Sequence, residues 1–386
     1  MRRPIIWLSL LIVLAAITAA ALLLRPAAES EQLAAQVLTT PAAIDGFTRA
    51  DGSWPVLFPQ DFGPHFDYRT EWWYYTGNLD TADGRHFGYE LTFFRAALLP
   101  PDQVFPRQSE WAINQIYMAH FALTDVEGGV FHAFQRYARG AAGLAGAQAD
   151  PYQVWLEDWR VEQSGDYAYS LHASNEGISI DLHLTDDKGP VLHGDQGYSQ
   201  KGRETGNASY YYSQTRLLTE GTIQIGGEEL AVSGLSWKDH EYSTSVLSAG
   251  QVGWDWFAIQ LDGGYELMLY QIRRGDGSVD AFSSGTLIGP DGSAQALSRD
   301  DFIIESQNTW RSPHSDAVYP MGWTISVPSA DLQLTLSPYL VDQELNLATI
   351  YWEGAVNIIG THRDRAITGV GYVEMTGYAE PFNGDF

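Results

Sequence analysis

Trp72-Trp73-Tyr74-Tyr75-Thr76-Gly77-Asn78-Leu79, then Asp80-Thr81-Ala82-Asp83-Gly84, then His86 to Arg95, is the stretch that decides the fold. Four consecutive large rings followed by a β-branched Thr76 favour extended backbone, because such side chains pack well on a pleated surface. The Asp83-Gly84 pair marks a turn. On the return strand Phe87, Tyr89, Leu91 and Phe93 share one face, while Gly88, Glu90 and Thr92 share the other. That period of two is the signature of a strand. From about Phe47 onward the same signals recur as short aromatic and β-branched runs separated by Asp-Gly and Gly-Gly. No sustained helical periodicity interrupts them, so the chain reads as all-β and antiparallel.

The hairpin has a second copy. Trp72-Trp73-Tyr74-Tyr75 with Leu79-Asp80 matches Trp254-Asp255-Trp256-Phe257 with Leu261-Asp262, and Tyr89-Glu90-Leu91 matches Tyr265-Glu266-Leu267. Further along, Glu220-Gly221-Thr222-Ile223-Gln224-Ile225 echoes Glu353-Gly354-Ala355-Val356-Asn357-Ile358. Last, Ser233-Gly234-Leu235-Ser236-Trp237-Lys238-Asp239 echoes Thr368-Gly369-Val370-Gly371-Tyr372-Val373-Glu374. Matches in the same order indicate an internal duplication. The copies run from about 47 to 245 and from 246 to 386, each sized for an up-and-down barrel or a strongly curved sandwich. An insertion between Ala138 and Asp166 is expected to cover a barrel mouth or to decorate the surface.

A length of 386 residues suits two domains. The formal charge of -26 opposes nucleic-acid binding, since a phosphate backbone would repel it and no Lys/Arg cluster offsets it. The absence of cysteine removes disulfides, thiolate nucleophiles and cysteine metal sites. His65, His120, His193, His240, Asp239, Glu241 and Glu71 show no tight metal-ligand spacing, so no metal and no cofactor are expected. No Gly-x-Ser-x-Gly elbow supports a serine hydrolase.

Residues 1–25 place Arg2 and Arg3 before an uncharged apolar run from Ile5 to Leu24, closed by Arg25-Pro26. Such a run reads as an N-terminal apolar helix, either a transmembrane anchor or a signal peptide. Residues 26–46 read as a linker. Either way the remainder is expected outside the cytoplasm, in the periplasm, touching a membrane through this segment alone.

Glu71 to Leu79, Gly253-Trp254-Asp255-Trp256-Phe257, Trp237-Lys238-Asp239-His240-Glu241 and Gly371 to Tyr378 resemble the signature strings of the AttH and carotenoid 1,2-hydratase family, also called hydroxyneurosporene synthases. The likeness covers nearly everything after residue 50. It implies two tandem lipocalin-like, calycin-type antiparallel β-barrels. It further implies an apolar ligand, isoprenoid- or lipid-like, held between or within them. Two activities stay open: acid–base hydration or isomerisation of an alkene, and non-catalytic carriage beside an ABC-type transporter permease.

Hydrating an alkene needs an acid, an apolar slot and a means of steadying a carbocation. His240 has no counterpart in the second copy, where Met375 stands, and the resemblance supports it, because the hydratases use a His in the equivalent segment. His240 and Asp239 are therefore the catalytic candidates, although Asp239 recurs as Glu374 and its acid also suits a scaffold role. Tyr242, Trp237, Trp254, Trp256, Tyr270, Trp73 and Tyr75 are the ligand-binding candidates. The family's proton donor is an Asp two residues after a Tyr; following Tyr270 at that distance this chain has Ile272. Arg69 and Glu71 are expected to form a structural ion pair. Tyr210-Tyr211-Tyr212 reads as a lid or a strand with hydroxyls in water.

Overall fold

The computed structural model describes residues 45–53, 56–104, 113–244 and 247–382. The apolar leader and residues 26–44 of the linker lie outside them.

Two curled antiparallel sheets make up the fold, one nearly closing into a barrel and the other a half-barrel. The first has 13 strands and the second 10. The chain leaves the first sheet at Ser243 and enters the second at Gln251. The centre of the first sheet runs, side by side, His86–Ala97, Thr70–Thr81, Glu228–Ser243 and Ala208–Ile225. The centre of the second runs Tyr265–Arg274, Gln251–Leu261, Arg365–Met375 and Ile350–His362. The two quartets are joined in the same order.

Register shows which echoes the fold retains. Tyr74 stands opposite Asp239, and Trp256 opposite Glu374, so the first and last echoes superpose. The middle two do not. Glu90 pairs with Thr76 but Glu266 with Gln260, a slip of two residues that keeps the face. Glu353 pairs with Glu374, so its counterpart is Ser213 opposite Asp239, whereas the exposed Glu220 pairs with Ser233. A Glu-Gly pair preceding alternating polar and β-branched residues suits any such strand, and this made the third echo look in register.

The insertion is neither lid nor decoration. It forms the strands Ala145–Ala149, Tyr152–Leu156 and Trp159–Gly165, which complete the first sheet. Tyr152, Val154, Leu156, Trp159 and Val161 alternate inward to join Trp73, Tyr75, Tyr89 and Phe93 in the first core. A second core, around Trp323, Trp352, Phe257 and Leu269, fills the half-barrel. Tyr210, Tyr211 and Tyr212 are buried within a strand, their hydroxyls donating to Gly52, Asp239 and Asp61 respectively.

The outer face of the first sheet packs on the second. Gly88 shows how closely: a Cβ added there would lie 2.5 Å from the Cβ of Ala355. The chain needs glycine here for clearance between sheets. Overpacking costs about 1–3 kcal/mol, so Gly88→Ala is expected to lower stability by that amount in chemical denaturation. Ala355→Gly added to it should recover most of the loss. Additive losses would refute a direct contact.

Candidate functional site

Between the sheets lies a cavity of about 80 Å³, measured as space open to the centre of a water molecule. One such centre needs roughly 10–15 Å³, so several waters or a small organic group fit. Trp72, Tyr74, Phe94, Tyr211, Trp254, Trp256, Tyr270 and Tyr351 supply eight aromatic rings to its wall. Among them stand Asp239, Glu241, Glu353, Glu374 and Lys201, with Leu247 and Ile272 apolar beside them.

Of the residues named from sequence, Asp239, Trp254, Trp256 and Tyr270 line this cavity. Trp237 stands directly behind, its indole N–H donating to Asp239 Oδ1 at 2.6 Å and its ring 6.3 Å from that of Trp256. His240, Tyr242, Trp73 and Tyr75 do not reach it. Neighbours along a strand point to opposite faces, so His240 turns into the first sheet while Asp239 turns out. Trp73 and Tyr75 likewise belong to the first core, and Tyr242 stacks on His65 with centroids 3.6 Å apart.

His240 takes part in a hydrogen-bond hub centred on Glu71. Glu71 accepts from Arg95 Nε at 2.9 Å, His65 Nδ1 at 2.8 Å and His240 Nε2 at 2.8 Å. Arg95 thus places its guanidinium on this carboxylate, a partner not named from the sequence, and both groups are fully buried. Burial pushes the His240 imidazole down to about 4, so it is neutral: Nε2 donates to Glu71 and Nδ1 faces the Tyr212 hydroxyl at 2.8 Å. Burial opposes a charged His65, but the Asp61 and Glu71 carboxylates overcome it and hold the ring above its ordinary range. His65, Glu71 and His240 come close enough to hold a metal. The Glu71 oxygens, however, are already occupied by those donors and by the His65 backbone N–H, so the cluster is organised as a structural hub.

Lys238, next to His240, is fully buried, and its Nζ has no hydrogen-bond partner among the described residues. It lies 4.5 Å from the ring centroids of Phe62 and Tyr169 and 4.7 Å from that of Tyr152. Burial drives its amine well below the ordinary range. The amine is thereby held in its uncharged form among the rings.

On the cavity side the two register-equivalent acids have different surroundings. Asp239 accepts from Tyr211, Ser213 and Trp237, a donor set that favours the carboxylate. Burial nevertheless lifts it to about 7. Glu374 receives only the Trp254 indole N–H, at 3.2 Å, among the described residues. Burial, with Glu90, Asp239 and Glu241 as like-charged neighbours, lifts it to about 8. Glu353 is also pushed up, by burial and by Glu90 and Glu374. Sequence reasoning missed Glu353, Glu374, Tyr74 and Lys201 as site residues. The recurrence of an acid opposite an aromatic in both copies was the available signal, and it had been assigned to scaffold.

These shifts fix a pH response. For Asp239, Glu374 and Glu90, which burial lifts to about 8, the folded state holds protons that the unfolded chain releases near pH 4. Their stabilisation is full below that range and is lost as pH rises through about 7 to 8. The buried neutral His120, His193 and His240 act oppositely below about pH 6.5, and the Lys238 amine, which burial holds neutral, acts oppositely across the window by one proton against the three of the carboxyls. The thermal midpoint should therefore fall from about pH 6.5 to about pH 8, and Glu90→Gln should flatten that slope. A midpoint that rises over this window would contradict the carboxyl assignment.

The AttH-like family profile matches residues 49–378. A solved structure assigned to AttH, from Nitrosomonas europaea, is 34% identical with a TM-score of 0.76, covering 86% of this chain and all of that one. Kievitone hydratase from Nectria haematococca shares the fold at 15% identity and a TM-score of 0.64, covering 87% of this chain and 98% of that one. The dehydratase asqC of Emericella nidulans is 21% identical over 219 residues, a match spanning 53% of this chain and 60% of that protein. With the profile spanning most of its length, the chain belongs to the AttH-like family.

Proposed function

We propose that the protein adds water to, or removes it from, a largely apolar isoprenoid- or lipid-like molecule whose reacting end enters the cavity between its sheets, outside the cytoplasm. The observation that carries this reading is the pair Asp239 and Glu374, buried in one aromatic cavity yet surrounded differently. Two carboxyls whose environments set them apart divide acid and base roles between them. The names of the hydratase and dehydratase relatives agree with it.

Glu374, with one donor and like-charged neighbours, keeps its proton near neutrality and is the acid. It delivers that proton to an alkene carbon, and the π electron pair becomes the new C–H bond. The positive charge left on the adjacent carbon faces the rings of Trp254, Trp256 and Tyr74. Water attacks that carbon and gives its proton to Asp239, whose three donors steady the carboxylate beforehand. Proton return from Asp239 to Glu374 closes the cycle, and dehydration runs the same steps backwards.

Acid–base groups of this kind contribute roughly 10²–10⁴-fold in rate. The full chain incubated in D₂O with a panel of isoprenoid alkenes and tertiary alcohols should incorporate deuterium at carbon, read by mass spectrometry. Glu374→Gln and Asp239→Asn should each reduce incorporation by about 10²-fold or more. His240→Gln, on the far face of its strand, should change it by less than tenfold. Wild-type protein that binds members of the panel without exchange would overturn catalysis and favour carriage of an apolar ligand beside a transporter permease.

A further inference from the structure

One end of the cavity is overloaded with carboxyls that have no counter-ion. Glu353 and Glu374 face each other across adjacent strands, an arrangement in which like charges repel. Glu90, on the opposing sheet, adds a third carboxyl whose charge reaches both. None of the three has an ion-pair partner among the described residues. Glu353 is fully buried and lines the cavity; Tyr74 donates to its Oε1 and the Tyr351 hydroxyl lies nearby, but Oε2 has no well-formed hydrogen bond, and with only Thr92 nearby neither oxygen of Glu90 has one. A hydrocarbon occupying this end would leave those oxygens unsatisfied, a cost that buried polar groups ordinarily avoid.

The other end shows how the same wall treats a positive charge. Lys201 points its ammonium 3.2 Å from Glu241 and 4.0 Å from the ring centroid of Tyr270. A carboxylate on one side and an aromatic face on the other is how organic ammonium groups are held. The Glu353 end has the carboxyls and the rings of Tyr74, Tyr351 and Phe94 without the cation. The three acids are not among the groups close enough to enclose a metal ion, which favours a bulkier, diffuse charge.

We propose that the Glu353 end of the cavity receives the positively charged nitrogen of the ligand, a protonated amine or quaternary ammonium, with the apolar remainder extending toward Trp254 and Trp256. This rests on the cavity being the ligand site, as in the function proposed above, and it names a class of ligand. Binding ionises Glu353 and releases its proton to solvent, and the cation replaces that proton as its partner. The groups facing Glu353 are Glu90 from the first sheet, Glu374 and the Tyr372 hydroxyl from the adjacent strand, and the hydroxyls of Tyr74 and Tyr351. None of these supplies a positive charge. His120, hydrogen-bonded to Tyr351 at 2.7 Å, is held neutral by burial.

Choline and its uncharged carbon isostere, neohexyl alcohol, test this on the full chain, with quenching of tryptophan fluorescence as the readout. Choline should bind at least about tenfold more tightly near pH 8. Its advantage should shrink by up to about tenfold per pH unit toward pH 6, because the released proton competes with it. Sodium and potassium at equal concentration should not displace it. Glu353→Gln should bring the two affinities together, and Glu90→Gln should weaken the pH dependence with binding retained. Equal or tighter binding of neohexyl alcohol at every pH, binding of neither probe, or displacement by potassium would each overturn the inference. Deuterium exchange into neutral alkenes is a separate measurement, so exchange that persists when choline fails would leave the hydration reading intact.

Discussion

Successive side chains of a strand point to opposite sides, and in this molecule the central strands have no solvent side to give away. Thr70–Thr81 and Glu228–Ser243 are buried on both faces near the cavity. One face closes the first core and the other meets the second sheet. Each such strand therefore carries two interleaved programmes of residues. From Trp237 to Tyr242, Trp237, Asp239 and Glu241 serve the space between the sheets, while Lys238, His240 and Tyr242 serve the inside of the near-barrel. Both programmes include ionisable groups, and each solves its burial differently. The inner face uses ion pairing around Glu71 and ring stacking around Lys238. The outer face leaves Asp239 and Glu374 without counter-ions among the described residues, and burial favours their protonated form against the pull of their hydroxyl and indole donors.

Duplication then sets the chemistry of the interface. Two curled sheets with the same central strand order meet through the faces that carry Asp239 in one and Glu374 in the other, so one position in the repeat contributes twice to a single cavity. The aromatic residue opposite each acid comes along: the rings of Tyr74 and Trp256 meet edge to face, with centroids 5.2 Å apart. What distinguishes the two halves is the local supply of donors. Ser213 comes from a strand of the first sheet at the register where the second sheet has Glu353, and Tyr211, two residues before it, also donates to Asp239. One half thus gains hydroxyls and the other a further carboxyl, and the pair of acids becomes unequal.

The all-β class, the hairpin at residues 72–95 and the pairing of first and last echoes were legible because period two and turn residues act locally. The cavity was half legible: Trp254, Trp256, Tyr270 and Asp239 were found, since aromatic runs beside an acid mark the right strands. Alternation was the information that went unused. Applied to Asp239 and His240 it separates them at once, whereas uniqueness of His240 in one copy favoured the wrong face. Repetition of the acid suggested scaffold, yet a repeated position that faces its own copy across an interface can only form a site with both copies present. Arg95 on Glu71 follows from the register of that same hairpin, which sets the two residues opposite each other, and the insertion's strands pair with their sequence neighbours; the turns that fix both registers carry too weak a pattern to be read alone.

A buried carboxyl without a counter-ion has two stable partners, a proton or a cation, and the cavity uses both. At the Asp239 end hydroxyl and indole donors hold the carboxylate while Lys201 neutralises Glu241, so one proton can come and go with little rearrangement. At the Glu353 end only Tyr74 donates, to Oε1, while Oε2 and the oxygens of Glu90 have no well-formed hydrogen bond among the described residues. A reaction that develops positive charge on carbon presents such a partner for an instant, and an ammonium presents it permanently. Recognition of one and stabilisation of the other draw on the same electrostatics. The features that make this interior costly to bury are therefore the ones that give it an affinity for positive charge.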